Sequence, residues 1–218
     1  MSRESKITKE IPDFQRPPDV SVLRNRAFLR LWVAQLLTQI GGNVVLYGLT
    51  VLVAERSGST SALSALFLSF LVPAVVLSPI AGVWVDRLDT RLVLIIANLS
   101  RAGAFFLMLG SVDSLGTVLL LNIFGSVMTT LFAPAELAMI PRLVHVEQLN
   151  SANGLFTFTL NAAFAIGFAL LGPAIVRIAG PEAAIIFVAA LFLVAGLLCL
   201  GLPAAPPDRK STRLNSSH

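Results

Sequence analysis

The stretch Gly82-Val83-Trp84-Val85-Asp86-Arg87-Leu88-Asp89-Thr90-Arg91 decides how the rest of the sequence is read. It is a short charged turn set between two long apolar runs, residues 61–85 before it and 92–110 after it. A bilayer core about 30 Å thick needs about 20 consecutive apolar residues to cross as a helix. Both runs meet that length, so the turn is expected to be a membrane-surface loop joining two spanning helices. Four of its residues, Gly82, Asp86, Arg87 and Arg91, are candidates for a role beyond the turn itself.

The composition agrees. Of 218 residues, 56% are hydrophobic and only 13% charged, with a mean hydropathy of +0.82. Soluble domains carry about 25% charged residues. The pI near 10.0 invites a nucleic-acid reading, but the basic residues sit in the first 30 positions or in short loops beside apolar runs. That placement is a topology signal rather than a nucleic-acid-binding face. The single cysteine, Cys199, lies inside an apolar run. No disulfide within the chain and no cysteine metal site can be built from it. No phosphate-cradling glycine loop, zinc-binding helix or catalytic histidine pair is present, so neither an enzyme nor a cofactor is expected.

Taken in order, residues 1–24 are polar and broken by Pro12, Pro17 and Pro18, and read as a disordered cytoplasmic tail without a signal-peptide core. Apolar runs then predict spans over 27–54, 61–85, 92–110, 115–139, 154–178 and 183–202. Glu55 to Thr60 reads as a loop, Pro141 as the stop of the fourth span, and 141–153 as a polar segment with room for a short surface helix. Pro73 and Pro79 inside the second span mark a kinked helix whose freed carbonyls must be met by neighbours. Six spans place both ends on one side. Arg24, Arg26, Arg30, Arg87, Arg91 and Arg142 fall on that side, Arg56 and Arg177 on the other. By the positive-inside rule the N-terminus is cytoplasmic, in the plasma membrane. Spans 1–3 and 4–6 then run with opposite topology, as an inverted repeat requires.

Gly82-x-x-x-Asp86-Arg87 followed by Arg91 resembles the loop between helices 2 and 3 of the major facilitator superfamily, whose members are secondary transporters. The family usually places Gly where Asp89 stands and a second basic residue where Thr90 stands. Further segments are similar to the macrolide-efflux and siderophore-exporter branch: Asn25-Arg26-Ala27-Phe28-Leu29-Arg30-Leu31-Trp32 at the start of helix 1, and Phe132-Ala133-Pro134-Ala135 with Ala138-Met139-Ile140-Pro141-Arg142-Leu143-Val144 at the end of helix 4. Leu149-Asn150-Ser151-Ala152-Asn153-Gly154 resembles that branch where helix 5 begins. Gly172-Pro173 partly resembles an exporter element, although Gly167 lies five positions earlier and Val176-Arg177 replace a glycine pair. The resemblance implies an all-α membrane protein of six transmembrane helices in a 3+3 inverted repeat over residues 25–205, half of a twelve-helix fold. It also implies a missing C-terminal half as partner. Residues 208–218 resemble one reading frame of a DNA-sequencing adapter, so 206–218 is expected to be a non-native or disordered tail.

Gln35, Gln39, Asn43 and Tyr47 recur every four positions along the first span, and Asn122, Ser126, Thr129 and Glu136 at steps of four, three and seven along the fourth. Polar stripes are expensive against lipid, so each faces either a cavity or a helix interface. In the family, helices 1 and 4 line the central cavity. The resemblance therefore makes Gln35, Gln39, Asn43, Tyr47, Asn122, Ser126 and Thr129 candidate substrate contacts, with Asn161 of the fifth span placed beside them. Relatives often carry an acid after the equivalent of Gly42. Asn43 cannot exchange a proton, which leaves Glu136 as the buried acid. Its alternative is an ion pair with Arg87 or Arg91.

Arg101 lies ten positions past Arg91, roughly 15 Å into the membrane by helical rise. A central arginine costs about 2.5–3.5 kcal/mol on insertion scales, so it must face protein or water. It is either an anion-binding or relay group, or one half of a buried structural pair. In the family, Asp86 latches onto a helix N-terminus of the other half. The expectation is a secondary transporter exporting a small amphipathic molecule across the lipid bilayer by alternating access, with a coupling proton. The alternatives are an uptake carrier on the same fold and a non-transporting six-helix membrane protein.

Overall fold

The structure, a computed structural model, describes residues 22–206. The expectations for the two tails fall largely outside that range, except that Val22–Arg24 form a single 3-10 turn. All regular structure among the described residues is helical: α1 Arg26–Ser57, α2 Thr60–Val85, α3 Thr90–Leu109, α4 Leu115–Leu143, α5 Leu149–Phe164, a π-helical segment Ala165–Leu171, α6 Gly172–Ala179 and α7 Pro181–Cys199. With α5 and α6 running on through the π segment, six helical spans are long and apolar enough to cross a membrane.

Local chemistry fixes the ends. Asn25 caps α1, its Oδ1 accepting from the backbone N–H of Ala27 and Phe28. Its Nδ2 donates to the Leu143 carbonyl at 2.6 Å, so one side chain closes the start of α1 and the end of α4. Asp89 and Ser114 cap α3 and α4 in the same way. The predicted loop from Glu55 to Thr60 is shorter in fact, because Glu55, Arg56 and Ser57 stay helical. The helix stops at Gly58, which adopts φ +58° and returns its N–H to the Ala54 carbonyl.

Pro141 does not stop the fourth span. A proline there forfeits one bond, that to the carbonyl four residues back. The turn still closes through Val144 N–H to Ile140 and through the Asn25 cap. The polar segment that follows holds only the 3-10 turn Val146–Gln148. The π segment was not foreseen. Pro173 has no N–H to offer, and the Gly172 N–H reaches back five residues to Gly167.

The spans pack in a pattern that exchanging 1 with 4, 2 with 5 and 3 with 6 maps onto itself. α1 lies on α7 as α4 lies on α3, α2 lies on α4 as the fifth span lies on α1, and α3 packs on α7 across the centre. This is the inverted repeat. Glycines set the closest approaches. A Cβ on Gly196 would stand 2.6 Å from Leu99 Cδ2, and one on Gly48 would stand 2.9 Å from Ala184 Cβ.

The apolar core comes in two separate clusters. One gathers Phe28, Leu31, Leu94, Phe132 and Met139, and the other Val44, Leu49, Phe105, Met108 and Ile185. Between them, at mid-height on α1, α3 and α4, lies a polar layer of Thr38, Asn98, Arg101, Asn122, Ser126 and Thr129. A bundle with no use for polar groups would close that layer with leucine. Its presence at the depth where desolvation is most expensive directs attention there.

Candidate functional site

Four residues of the polar layer, Arg101, Asn122, Ser126 and Thr129, line a cavity of about 580 Å³, within the range typical of small-molecule sites. Buried Arg101 and Phe105 on α3 and Phe192 on α7 form the floor, and Asn122, Gly125 and Ser126 on α4 form one wall. Gly42, Ser78, Thr129, Ala133 and Leu137 are exposed and form the mouth, between α1, α2 and α4.

Arg101 is 1% exposed. An arginine at mid-span must face protein or water, and Arg101 turns into the bundle. Nε donates to the Ala97 carbonyl at 3.0 Å, Nη1 to Thr129 Oγ1 at 3.2 Å and Nη2 to Asn98 Oδ1 at 2.8 Å. The guanidinium carbon stands 4.8 Å from the Phe132 ring centroid and 4.4 Å from that of Phe192, both within cation–π range. Thr38 donates to the same Asn98 oxygen at 3.1 Å, while Asn98 Nδ2 returns to the Leu94 carbonyl. Every acceptor is neutral, so neutral dipoles hold the charge in place.

The proline-containing helix α2 is tied to the same wall. Pro73 interrupts the ladder of α2 at the Ser69 carbonyl. Asn122 Nδ2 donates to Ser69 Oγ at 2.7 Å, and Ser126 Oγ donates to the adjoining Phe70 carbonyl at 2.7 Å. Polar side chains of α4 thus bond α2 within one turn of its proline.

Of the fourth-span candidates, Asn122, Ser126 and Thr129 line the cavity. Glu136 does not. It is buried within electrostatic reach of Arg101, and one carboxylate oxygen has no hydrogen-bond partner. The ion pairs found among the described residues are those of Arg56 with Asp113 and with Glu182, so Glu136 is bonded to neither Arg87 nor Arg91.

The first-span candidates do not line the cavity. Gln35 is buried, with its side-chain oxygen unpartnered. Asn43 donates to the Gln39 carbonyl, and Tyr47 meets Phe168 edge-on at 5.6 Å. Asn43 and Tyr47 abut the fifth span so closely that Cβ atoms on Gly167 and Gly172 would each stand 2.8 Å from them. Asn161 is exposed on α5 and bonds its own helix at Thr157. Gly42 and Val45 are the α1 residues at the cavity.

In the charged loop, Gly82 lines the cavity's far end, while Asp86 and Arg87 are exposed. Arg91 donates to the Leu200 carbonyl at the end of α7. Arg30 reaches the Gly201 carbonyl at 2.6 Å and Arg142 the Pro206 carbonyl at 3.0 Å. Arg30 and Arg91 therefore sit where the dipole of α7 favours a cation. Thr90 N–H donates to the Ala205 carbonyl at 3.1 Å and ties the loop to the chain leaving α7.

Sequence reasoning missed Thr38, Asn98, Phe132 and Phe192. Asn98 had a signal: it lies three positions before Arg101, on the same face of α3.

Six membrane-length helices packed as an inverted repeat define a multi-pass membrane protein. The sequence profile of the Major Facilitator Superfamily matches residues 31–217, and the chain belongs to that family of transporters, which are not enzymes. An uncharacterized MFS-type transporter, YkuC, of Bacillus subtilis is 28% identical over 82% of this chain and 42% of its own length. The lysophospholipid transporter LplT of Serratia proteamaculans is 27% identical over 87% of this chain and 47% of its own. Macrolide efflux protein A of Streptococcus pyogenes is 29% identical over 58% and 32%. The chain spans less than half the length of these relatives.

Proposed function

We propose that this chain forms one six-helix half of a secondary transporter that exports a small amphipathic molecule by alternating access. A second six-helix half closes over the mouth between α1, α2 and α4. The observation that carries this reading is the cavity itself, with a polar, cationic floor at mid-membrane and apolar residues from Phe70 to Leu137 around its walls and mouth. An amphipath needs both surfaces at once. The relatives named for macrolide efflux and for lysophospholipid transport both handle molecules of that kind. The basic residues at the Gly82–Arg91 end support a cytoplasmic side for that end and for the N-terminus, in a plasma-membrane protein. A proton gradient supplies the energy, with buried Glu136 as its carrier in this half.

Two predictions test the reading. Cells expressing the gene in an efflux-deficient host accumulate less macrolide or lysophospholipid than vector controls, and dissipating the proton gradient removes the difference. Equal accumulation for a panel of amphipaths contradicts transport. Higher accumulation in expressing cells reverses the direction to uptake.

A further inference from the structure

The cavity has an unbalanced charge. Among the residues that line it are one cation, Arg101, and no acid. An arginine carries five N–H donors and keeps its charge in proteins. Three of these donors go to neutral acceptors, the Ala97 carbonyl, Asn98 and Thr129, and two ring faces flank the guanidinium. No carboxylate bonds it. Glu136 acts on it only through space and does not face the cavity. A positive charge held in a low-dielectric floor acts far more strongly on a ligand than the same charge in water. Thr129 stands at the junction, exposed at the mouth and hydrogen-bonded to Nη1.

We propose that the cavity selects an anionic amphipath, whose carboxylate, phosphate or sulfonate head is drawn to the Arg101 end and whose apolar body lies against Phe70, Ala74, Pro134 and Leu137. This rests on the transport reading of the same cavity and adds the charge of what is carried. The hydroxyls of Ser126, Thr129 and Thr130 on the α4 side of the cavity already donate to backbone carbonyls, so it is the field of Arg101 that draws the head group to this end. The cavity lining carries no acid to offset this charge, and the anion does so from the cavity side. A cationic amphipath meets the opposite field and finds no acid on the cavity wall. Arg101 is thereby a specificity-determining residue, and its burial between two rings keeps its charge from being dissipated by solvent.

A matched probe pair tests this on the purified 218-residue chain. 8-Anilinonaphthalene-1-sulfonate and N-phenyl-1-naphthylamine share one aromatic body and differ by the sulfonate, and both report binding by fluorescence. Binding to the cavity is the part removed by Gly42→Leu, since Gly42 lines the cavity and a Cβ there meets no atom within 4 Å. The expected result is cavity binding of the sulfonate at least about tenfold tighter than that of the neutral probe. Arg101→Gln brings the two together, and Arg101→Lys keeps part of the preference.

If Arg101→Gln does not fold, the native chain decides alone: decanoate displaces the bound sulfonate at concentrations about tenfold below decanol. Equal affinity for the two probes, equal displacement by decanoate and decanol, or an anion preference that survives in folded Arg101→Gln overturns the proposal and leaves the transport reading standing. If neither probe shows any binding that Gly42→Leu removes, the cavity is not a binding site and both readings fall.

Discussion

Gly42→Leu leaves the protein inserted and folded and abolishes transport. Gly42 is exposed at the mouth of the cavity, and a Cβ built there meets no atom within 4 Å. The leucine side chain therefore grows into open space rather than into a neighbouring helix. Replacing a glycine inside a helix also relieves a conformational-entropy deficit of about 0.5–1 kcal/mol. The expected outcome is a thermal midpoint equal to or above that of the native protein, with transport lower by an order of magnitude or more. Native-level flux with the mouth filled would mean that the solute takes another route.

Gly167→Val does the reverse: it damages the bundle itself. A Cβ at Gly167 would stand 2.8 Å from the Ile40 carbonyl oxygen and 2.8 Å from Asn43 Cβ. Side chains rotate away from such contacts, but a helix backbone does not. The fifth span must lift off α1 along the π segment, where α1 and the fifth span are in contact. Overpacking of a closed interface costs roughly 1–3 kcal/mol, and a β-branched side chain sits at the upper end. Thermal unfolding in detergent should show a lowered midpoint, with Gly167→Ala between valine and native. An unchanged midpoint would mean that α1 and the fifth span are farther apart than the structure places them.

These two glycines show where the sequence was legible and where it was not. The count of spans, their order and the inverted repeat follow from apolar length and from the placement of arginines, because both are local properties. The fourth-span stripe was readable for a physical reason. Steps of four and three average close to 3.6, so Asn122, Ser126 and Thr129 stay on one face, and all three reach the cavity.

The first-span stripe has a uniform step of four, which drifts about 40° each time at 3.6 residues per turn. Gln35 and Tyr47 therefore point in quite different directions. Asn43 and Tyr47 end against the fifth span, in the helix-interface role that polar residues in lipid also serve. What the sequence lacks is the identity of the neighbour. Gly42 and Gly167 are the same residue type in similar apolar contexts, and only the packed bundle tells open space from a closed interface. The arginines illustrate the same limit. Arg30, Arg91 and Arg142 read as topology signals, yet each also holds a carbonyl of the chain leaving α7, more than 60 residues away in sequence. In the Gly82–Arg91 loop, by contrast, Asp86 and Arg87 remain exposed.

The account depends on water and solute reaching mid-membrane between α1, α2 and α4. Thiol accessibility measures this directly. The native thiol, Cys199, is buried and is replaced by alanine to give a silent background. Ser78→Cys, Thr129→Cys and Ala133→Cys are then labelled in intact membranes with a water-soluble maleimide, alongside Phe106→Cys and Leu107→Cys on the exposed face of α3, away from the cavity. The account predicts rapid labelling of the first three, slowed by bound amphipath, and no labelling of the α3 pair. Labelling that is equally absent from both sets would contradict it, since the mouth would then face hydrocarbon rather than a water-filled path.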